Sequence, residues 1–314
     1  MNIPVVDLNQ FLHGDETNRQ QFVDQLGRAF EEVGFVAVRN HGIHSTLIQN
    51  LYQTVESFFQ LPEEKKRAYE IAGLAGQRGY TSFGKEHAKG SDAPDLKEFF
   101  QYGQTVPEGV HSPEDYPANV MVSDITSFNQ LFFDAYRSFE ESGSALLSAI
   151  GLHLGIGQHY FDEHIHYGNS ILRAIHYPPI THEPKSAIRA EQHEDINLIT
   201  LLVGASADGL EILSKQNEWL PVKAAPDEIV VNVGDMLQRL TNDRLKSTTH
   251  RVVNPPREKW HTSRYSIPFF LHPVSHMSLA CLDGCISTDT PKLYEDYTAG
   301  QYLEERLREI GLKK

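Results

Sequence analysis

Residues 170–285 of this 314-residue chain predict an antiparallel β architecture, a sandwich, jelly roll or barrel, with helices before and after it. Three observations carry that expectation. The runs "SILRAIHY", "INLITLLV", "LEIL", "IVVNV", "HRVV", "RYSIPFFL" and "MSLACL" are short, mostly rich in β-branched or aromatic residues, and separated by turn residues. Outside that stretch, apolar residues recur at helical spacing. The length allows one large core or two smaller ones.

Each element has its own signal. The opening "IPVVDL" (3–8) reads as a short strand. Phe22, Leu26, Ala29, Phe30 and Val33 share a face of a helix over 15–33, and Gly34 stops it. "FVAVRNHG" (35–42) is rich in strand formers. Ser45 is placed to cap a second helix, whose Leu47, Ile48, Leu51, Val55, Phe58 and Phe59 share a face and which Pro62 punctuates. Residues 70–120 hold many Gly, Pro and polar residues and few periodic runs, which predicts a long loop of the kind that covers binding sites. Helix returns over 123–154, with Phe128, Leu131, Phe132, Ala135, Phe139 and Leu146 as its stripe. A last helix over 299–311 puts Tyr302, Leu303, Leu307 and Ile310 on one side.

The bulk numbers exclude some functions. With 28 basic and 42 acidic residues the net charge is −14, which argues against nucleic-acid or anionic-membrane partners. No apolar run reaches the roughly 18 residues of a membrane span. "MNIPVVDLNQ" has neither a basic start nor an apolar signal core, so a cytoplasmic protein is expected. The two cysteines, Cys281 and Cys285, flank Asp283-Gly284, which reads as a tight hairpin turn. In a reducing compartment they are expected as two small buried thiols.

"EQHEDINLITLL" (191–202) puts His193 and Asp195 at the entrance of an apolar strand. Side chains two apart on extended chain point the same way, so the pair can aim an imidazole nitrogen and a carboxylate oxygen at one cation. "KSTTHRVVN" (246–254) offers His250 at the start of another strand. The three would make a two-His, one-carboxylate face, the pattern of non-haem Fe(II) oxygenases, with positions left open for substrate oxygens and O2. The spacing alone also fits a solvated pair ahead of a core strand. The nearby "HLGIGQHYFDEHIH" cluster, with His153, His159, His164 and His166, reads as a helix end and surface loop.

"RYSIPFFL" (264–271) places Arg264 and Ser266 on one face with Pro268 and Phe270. A guanidinium fork plus a hydroxyl suits a carboxylate, and an internal ion pair is the plainer alternative. "RAIHYPP" (173–179) puts Arg173, Ile175 and Tyr177 on one face. Tyr177 could give its phenol to the same anion, and Arg173 could meet a second anionic group or form a rim salt bridge.

These stretches, with "NVGDMLQRLTNDRLKSTTHRVV", resemble the Fe(II)- and 2-oxoglutarate-dependent oxygenases of the isopenicillin N synthase-like family. "FEEVGFVAVRNHGI", "FFQLPEEKK" and "YEDYTAGQYLEERL" extend the resemblance over nearly the whole chain. It implies a double-stranded β-helix, or jelly roll, flanked by N-terminal, central and C-terminal helices. It also implies one integrated unit: an N-terminal α/β region (1–120), a supporting helix (121–167), the jelly roll (168–285) and a C-terminal helix (286–314). His193, Asp195 and His250 carry over as iron ligands, with no catalytic residue beyond them. Arg264 and Ser266 carry over as the grip on the distal carboxylate of 2-oxoglutarate, with Tyr177 as helper. One departure is Asn242-Asp243, where the family usually has Gly after Asn; Asp can adopt the left-handed conformation at some cost, so the turn should survive.

The implied activity is a dioxygenase using Fe(II), 2-oxoglutarate and O2 to hydroxylate, desaturate or cyclise a small molecule, releasing succinate and CO2. The alternatives are an iron oxidase of the isopenicillin N synthase type that needs no 2-oxoglutarate, a metal-free binding module, and a zinc hydrolase in which the Arg-x-Ser pair has no role. The substrate pocket is expected to draw on 75–105, with Arg78, Tyr80, Phe83 and Phe99 as candidates beside Arg173 and Phe270. A carboxylate or phenolic group on the substrate would face Arg173. The oligomeric state is open.

Overall fold

The computed structural model describes residues 3–74, 76–86, 95–109, 116–184, 186–204 and 208–309. The chain begins with β1 (Val5–Asp7), parallel to β2 (Phe35–Arg39), with α1 (Leu8–His13) and α2 (Glu16–Glu32) between them. The Asp15 carboxylate caps α2 by accepting the Asn18 amide at 2.9 Å. Gly34 ends it at φ 75°, where an added Cβ would lie 2.3 Å from the Lys246 carbonyl oxygen. α3 (Ser45–Phe59) has His44 at its N-cap with no side-chain bond, so Ser45 is the first helical residue rather than the cap. α4 (Glu63–Arg67) follows Pro62.

The stretch expected as a loop contains β3 (Gly79–Thr81) and β4 (Glu98–Gly103), both buried throughout. Polar residues such as Glu98 and Gln101 hide β4 from a hydrophobicity reading, because ion pairs and hydrogen bonds satisfy them inside the fold. α5 (Phe128–His153) starts with its stripe at Phe128 and not at 123 as expected. The Asn129 amide binds both the N–H and the C=O of Val122, each at 2.9 Å, and so ties the preceding residues into a non-helical turn.

After α6 (Asp162–Ile165) come β5 (Ile171–Tyr177), β6 (Ala190–His193), β7 (Ile199–Val203), β8 (Leu210–Leu213), β9 (Trp219–Pro221) and β10 (Glu228–Val233). α7 (Asp235–Leu240), β11 (His250–Val252), β12 (Arg264–Leu271) and α8 (Ala299–Glu309) complete the chain. Ile310 lies outside the described residues. "MSLACL" makes one bridge, Ser278 to Thr298, and no strand. The hairpin expected at Asp283-Gly284 is a 3-10 turn, Asp283–Cys285. The Leu282 amide bonds the Leu240 carbonyl at 2.9 Å and the Asn242 amide bonds the Cys285 carbonyl at 3.2 Å, so the segment pairs with the end of α7 instead of itself. Asn242 and Asp243 take φ 49° and 66°, and the turn survives without glycine. Cys281 and Cys285 are buried free thiols.

One sheet runs β1-β2-β10-β7-β12-β5-β4-β3 and the other β6-β11-β8-β9. This is the double-stranded β-helix, with helices on the outer face of the large sheet. Alternation sorts each strand. Ile229, Val231 and Val233 of β10, Ile199, Leu201 and Val203 of β7, and Ile267, Phe269 and Leu271 of β12 join the helix-side core. Phe139 of α5 stacks on Phe269 at 5.6 Å, and Gly143 lets the Leu271 side chain approach to where its Cβ would be. The other set, Arg264, Ser266, Pro268 and Phe270, faces the space between the sheets. Ile3, Phe35, Ala37, Ile212 and Val230 close one part of that space. Ile175, Tyr177, Ala190 and Val252, with Phe99 packed behind them, close another.

Candidate active site

The two sheets enclose a cavity of about 340 Å³. β6 ends at His193, β11 begins at His250, and these residues are register partners across an antiparallel pair. That pairing brings together two histidines far apart in sequence. Asp195 lies just past β6, and its Oδ1 is 4.0 Å from His193 Nε2 and 3.8 Å from His250 Nε2. Those gaps are too long for hydrogen bonds, yet one ion with metal–ligand bonds of about 2.1 Å can bridge them. Among the described residues, this is the cluster of metal-binding side chains whose ligand atoms lie within 4.8 Å of one another.

Protonation is set by the neighbours. His193 Nδ1 donates to the Glu191 carbonyl at 2.7 Å and His250 Nδ1 to the Thr248 carbonyl at 3.1 Å. A carbonyl only accepts, so both rings carry hydrogen on Nδ1 and present Nε2 toward Asp195. Burial, then the His250 ring beside it, pushes the His193 pKa down to about 4, keeping it neutral and ready to ligate. The exposed part of His193 faces the cavity. Asp195 Oδ2 accepts from the Thr200 hydroxyl at 2.6 Å and the Asn232 amide at 2.8 Å, which leaves Oδ1 for a cation. Burial pushes this carboxyl up, but the fields of His250 and His193 and those hydrogen bonds outweigh it and hold its pKa low. The two Nε2 atoms and the ionised carboxylate fit a divalent ion.

Arg264 and Ser266 sit on the same cavity, both buried. Arg264 is the register partner of Tyr177 across β12 and β5, and its guanidinium carbon lies 5.0 Å from the Tyr177 ring centre. A buried cation, a hydroxyl and a phenol therefore gather at one end.

Arg173 lines another part of the wall, held edge-on by Gln101 at 2.9 Å and facing the rings of Phe99 at 4.4 Å and Phe270 at 5.3 Å. Its Nη1 is 3.3 Å from Glu86. Lys97 bonds Asp95 at 2.8 Å and reaches Glu86 at 3.4 Å. Burial opposes the charge on Glu86, but Arg173 and Lys97 prevail and bring its pKa to about 2. Burial likewise pulls Lys97 down, and Glu86 and Asp95 more than offset it, leaving its pKa above normal.

Four expected pocket residues lie elsewhere. Tyr80 points from β3 into the helix-side core and donates to Glu98, which also accepts from Lys66 at 2.6 Å and His176 at 2.7 Å. Arg78 is buried against Gly103 and donates to the Gln77 carbonyl at 2.7 Å. Phe83 is half exposed, off the cavity. Phe99 packs beneath Arg173 rather than on the wall. Cavity residues not anticipated include Glu86, Asp95, Lys97, Thr200 and Asn232. Thr200 and Asn232 carried a signal: each is a polar residue at an inward position of a largely apolar strand.

A jelly roll that presents two histidines and a carboxylate to a cavity also lined by a buried Arg-Ser pair defines a non-haem iron oxygenase. The chain belongs to the 2OG-Fe(II) oxygenase superfamily, whose model matches residues 168–273, while residues 3–123 match the model described as the N-terminal region of a non-haem dioxygenase in morphine synthesis. The proline hydroxylase buaE of Petromyces alliaceus is 34% identical to it, over 98% of this chain and 99% of the relative. Among solved structures, a 2OG-Fe(II) oxygenase family protein from Caulobacter crescentus is 40% identical with a TM-score of 0.87, covering 98% of this chain and 99% of that one. A full-length Neurospora crassa protein, solved in complex with alpha-KG, is 31% identical with a TM-score of 0.85, covering 98% and 95%. This enzyme is thus a dioxygenase that uses Fe(II), 2-oxoglutarate and O2 on a small molecule. Among the described residues no helix is long and apolar enough to cross a membrane.

Proposed function

We propose that His193, Asp195 and His250 hold the Fe(II), that Arg264 and Ser266 with Tyr177 hold the distal carboxylate of 2-oxoglutarate, and that the wall around Arg173 receives the substrate. The single observation behind this is the donor geometry: both Nδ1 atoms and Asp195 Oδ2 are occupied, so Nε2, Nε2 and Oδ1 are left to converge. Bound iron, with 2-oxoglutarate and O2, supplies the oxidising power, and succinate and CO2 leave. The chain's own residues do the rest. Arg264 and Ser266 orient the cosubstrate by charge-assisted hydrogen bonds, and the apolar wall of Phe270, Ile175 and Val252 keeps water away.

The substrate reading follows from charge. Arg173 and Lys97 are matched by Glu86 and Asp95, so this wall offers donors and acceptors with no surplus of either sign. A small molecule carrying both an N–H or O–H and a carbonyl suits it better than a simple carboxylate or phenolate. Thymine, present in one solved complex of the Neurospora crassa protein, and proline, named for the Petromyces alliaceus relative, are members of that broad class. The free thiols fit a reducing cytoplasm.

The test is metal analysis of anaerobically prepared protein, followed by succinate release over a substrate panel that includes thymine and L-proline. Iron bound by the wild type and lost in His193→Ala and Asp195→Ala, with both variants folded, is the expected result. A variant that keeps full 2-oxoglutarate consumption would refute the ligand assignment.

A further inference from the structure

Two buried cations on the cavity wall have acid partners: Lys97 with Asp95 and Glu86, and Arg173 with Glu86. Arg189 differs. It is 2% exposed and stands one residue before β6. Its Nη2 donates to the Thr262 carbonyl at 3.2 Å, and its Nε is buried with no partner. Among the described residues its recorded neighbours are Thr262, the Tyr177 ring at 5.9 Å and the charge of Arg264; none is a carboxylate. Burial, and then Arg264, depress its pKa to about 10. Tyr177 thus has two guanidinium carbons within 5.9 Å of its ring centre, those of Arg264 at 5.0 Å and Arg189.

A buried cation with no counter-ion is costly, and a second cation nearby adds to the cost. A dianion arriving next to both relieves it. We infer that Arg189 is a second cation of the cosubstrate pocket, a positioning residue that favours the distal carboxylate of 2-oxoglutarate through Tyr177 and the Thr262–Arg264 segment. The inference rests on the reading of Arg264 as the carboxylate grip. Arg189 lies behind the cavity wall, so it acts by field and by placing Tyr177, not by touching the iron ligands. It should therefore matter for a cosubstrate with a distal carboxylate and not for a 2-oxo acid without one.

The experiment titrates Mn(II)-loaded full-length protein anaerobically with 2-oxoglutarate and with 2-oxovalerate, which keeps the keto acid and lacks the distal carboxylate. Arg189→Met should bind 2-oxoglutarate about tenfold or more weakly, as expected for losing a unit charge at short range in a low-dielectric site. Arg189→Lys should recover most of that loss. Mn(II) affinity and 2-oxovalerate affinity should stay as in the wild type. If Arg189→Met binds 2-oxoglutarate as the wild type does, or weakens both oxo acids equally, the inference is overturned. Should Arg189→Met fail to fold, Arg189→Gln against Arg189→Lys gives the same comparison with polar side chains at both positions. A wild type that shows no affinity for 2-oxoglutarate at all would overturn the underlying grip as well, which separates the two failures.

Discussion

The Thr200 hydroxyl donates to Asp195 Oδ2 at 2.6 Å, and so one strand residue decides which oxygen of the carboxylate is left for a cation. Asn232 shares the task from β10. Thr200→Val and Asn232→Leu should each weaken metal binding by about 10- to 100-fold, the usual range for losing a partner of a ligand. Mn(II) titration of the two variants checks this. Unchanged affinity in both would mean that Asp195 needs no orientation.

Arg264 and Ser266 should separate by strength. Arg264→Ala should raise the half-saturating 2-oxoglutarate concentration by about 10- to 100-fold, because hydrogen bonds to charged groups contribute about 1.5–3 kcal/mol. Ser266→Ala should cost less. Mn(II) affinity serves as the control, and an Arg264→Ala enzyme with ordinary cosubstrate affinity would count against the grip.

His272 predicts a pH effect on stability. It is buried, and burial, the largest influence, depresses its pKa to about 4 despite the opposing pull of Asp195. Between its unfolded value of about 6.5 and its folded value of about 4, the unfolded chain binds a proton that the folded chain refuses. Stability should therefore fall as pH drops through that window, approaching a loss of about 3 kcal/mol at its lower end. Denaturant melts of wild type and His272→Asn at several pH values test it; parallel curves would remove His272 as the source.

Glu86 sets the charge balance of the substrate wall. Glu86→Gln leaves Arg173 and Lys97 with one fewer counter-charge, and the preference should shift toward carboxylate-bearing molecules. Thermal-shift ranking of matched amide and carboxylate pairs reads this out. An unchanged ranking would show that the wall does not meet the ligand.

Gly34→Ala tests the junction of α2 and β2. A left-handed φ of 75° and a carbonyl oxygen 2.3 Å from the new Cβ should together cost about 1–3 kcal/mol. Denaturant melts measure it, with Mn(II) affinity expected to hold. Wild-type stability in the variant would mean that the backbone relaxes there at no cost.

Much of the architecture can be read from local patterns. The alternation in "RYSIPFFL" separates Arg264 and Ser266 from Ile267 and Phe269 as the folded strand does. The helical stripe of α5 names residues that bury, with Leu131 only partly so. β4 escapes such reading, because its polar residues are buried with partners from other strands. The same applies to Tyr80, whose Glu98 partner gives it a reason to face the helices that its own sequence window does not contain.

The candidate donors, and the face each occupies, are legible in the order of residues, since strand and helix periods are properties of a short window. Which donors meet is a matter of folding in three dimensions. Strand register joins His193 to His250, and the packing of β4 against β5 pairs Arg173 with Gln101. Glu86 and Asp95 come from loops to neutralise the wall, and Arg189 lies beside Tyr177 without an acid. The reason is physical: a contact between residues far apart in the chain depends on register and on where loops close, and neither is encoded in the pattern of any single segment.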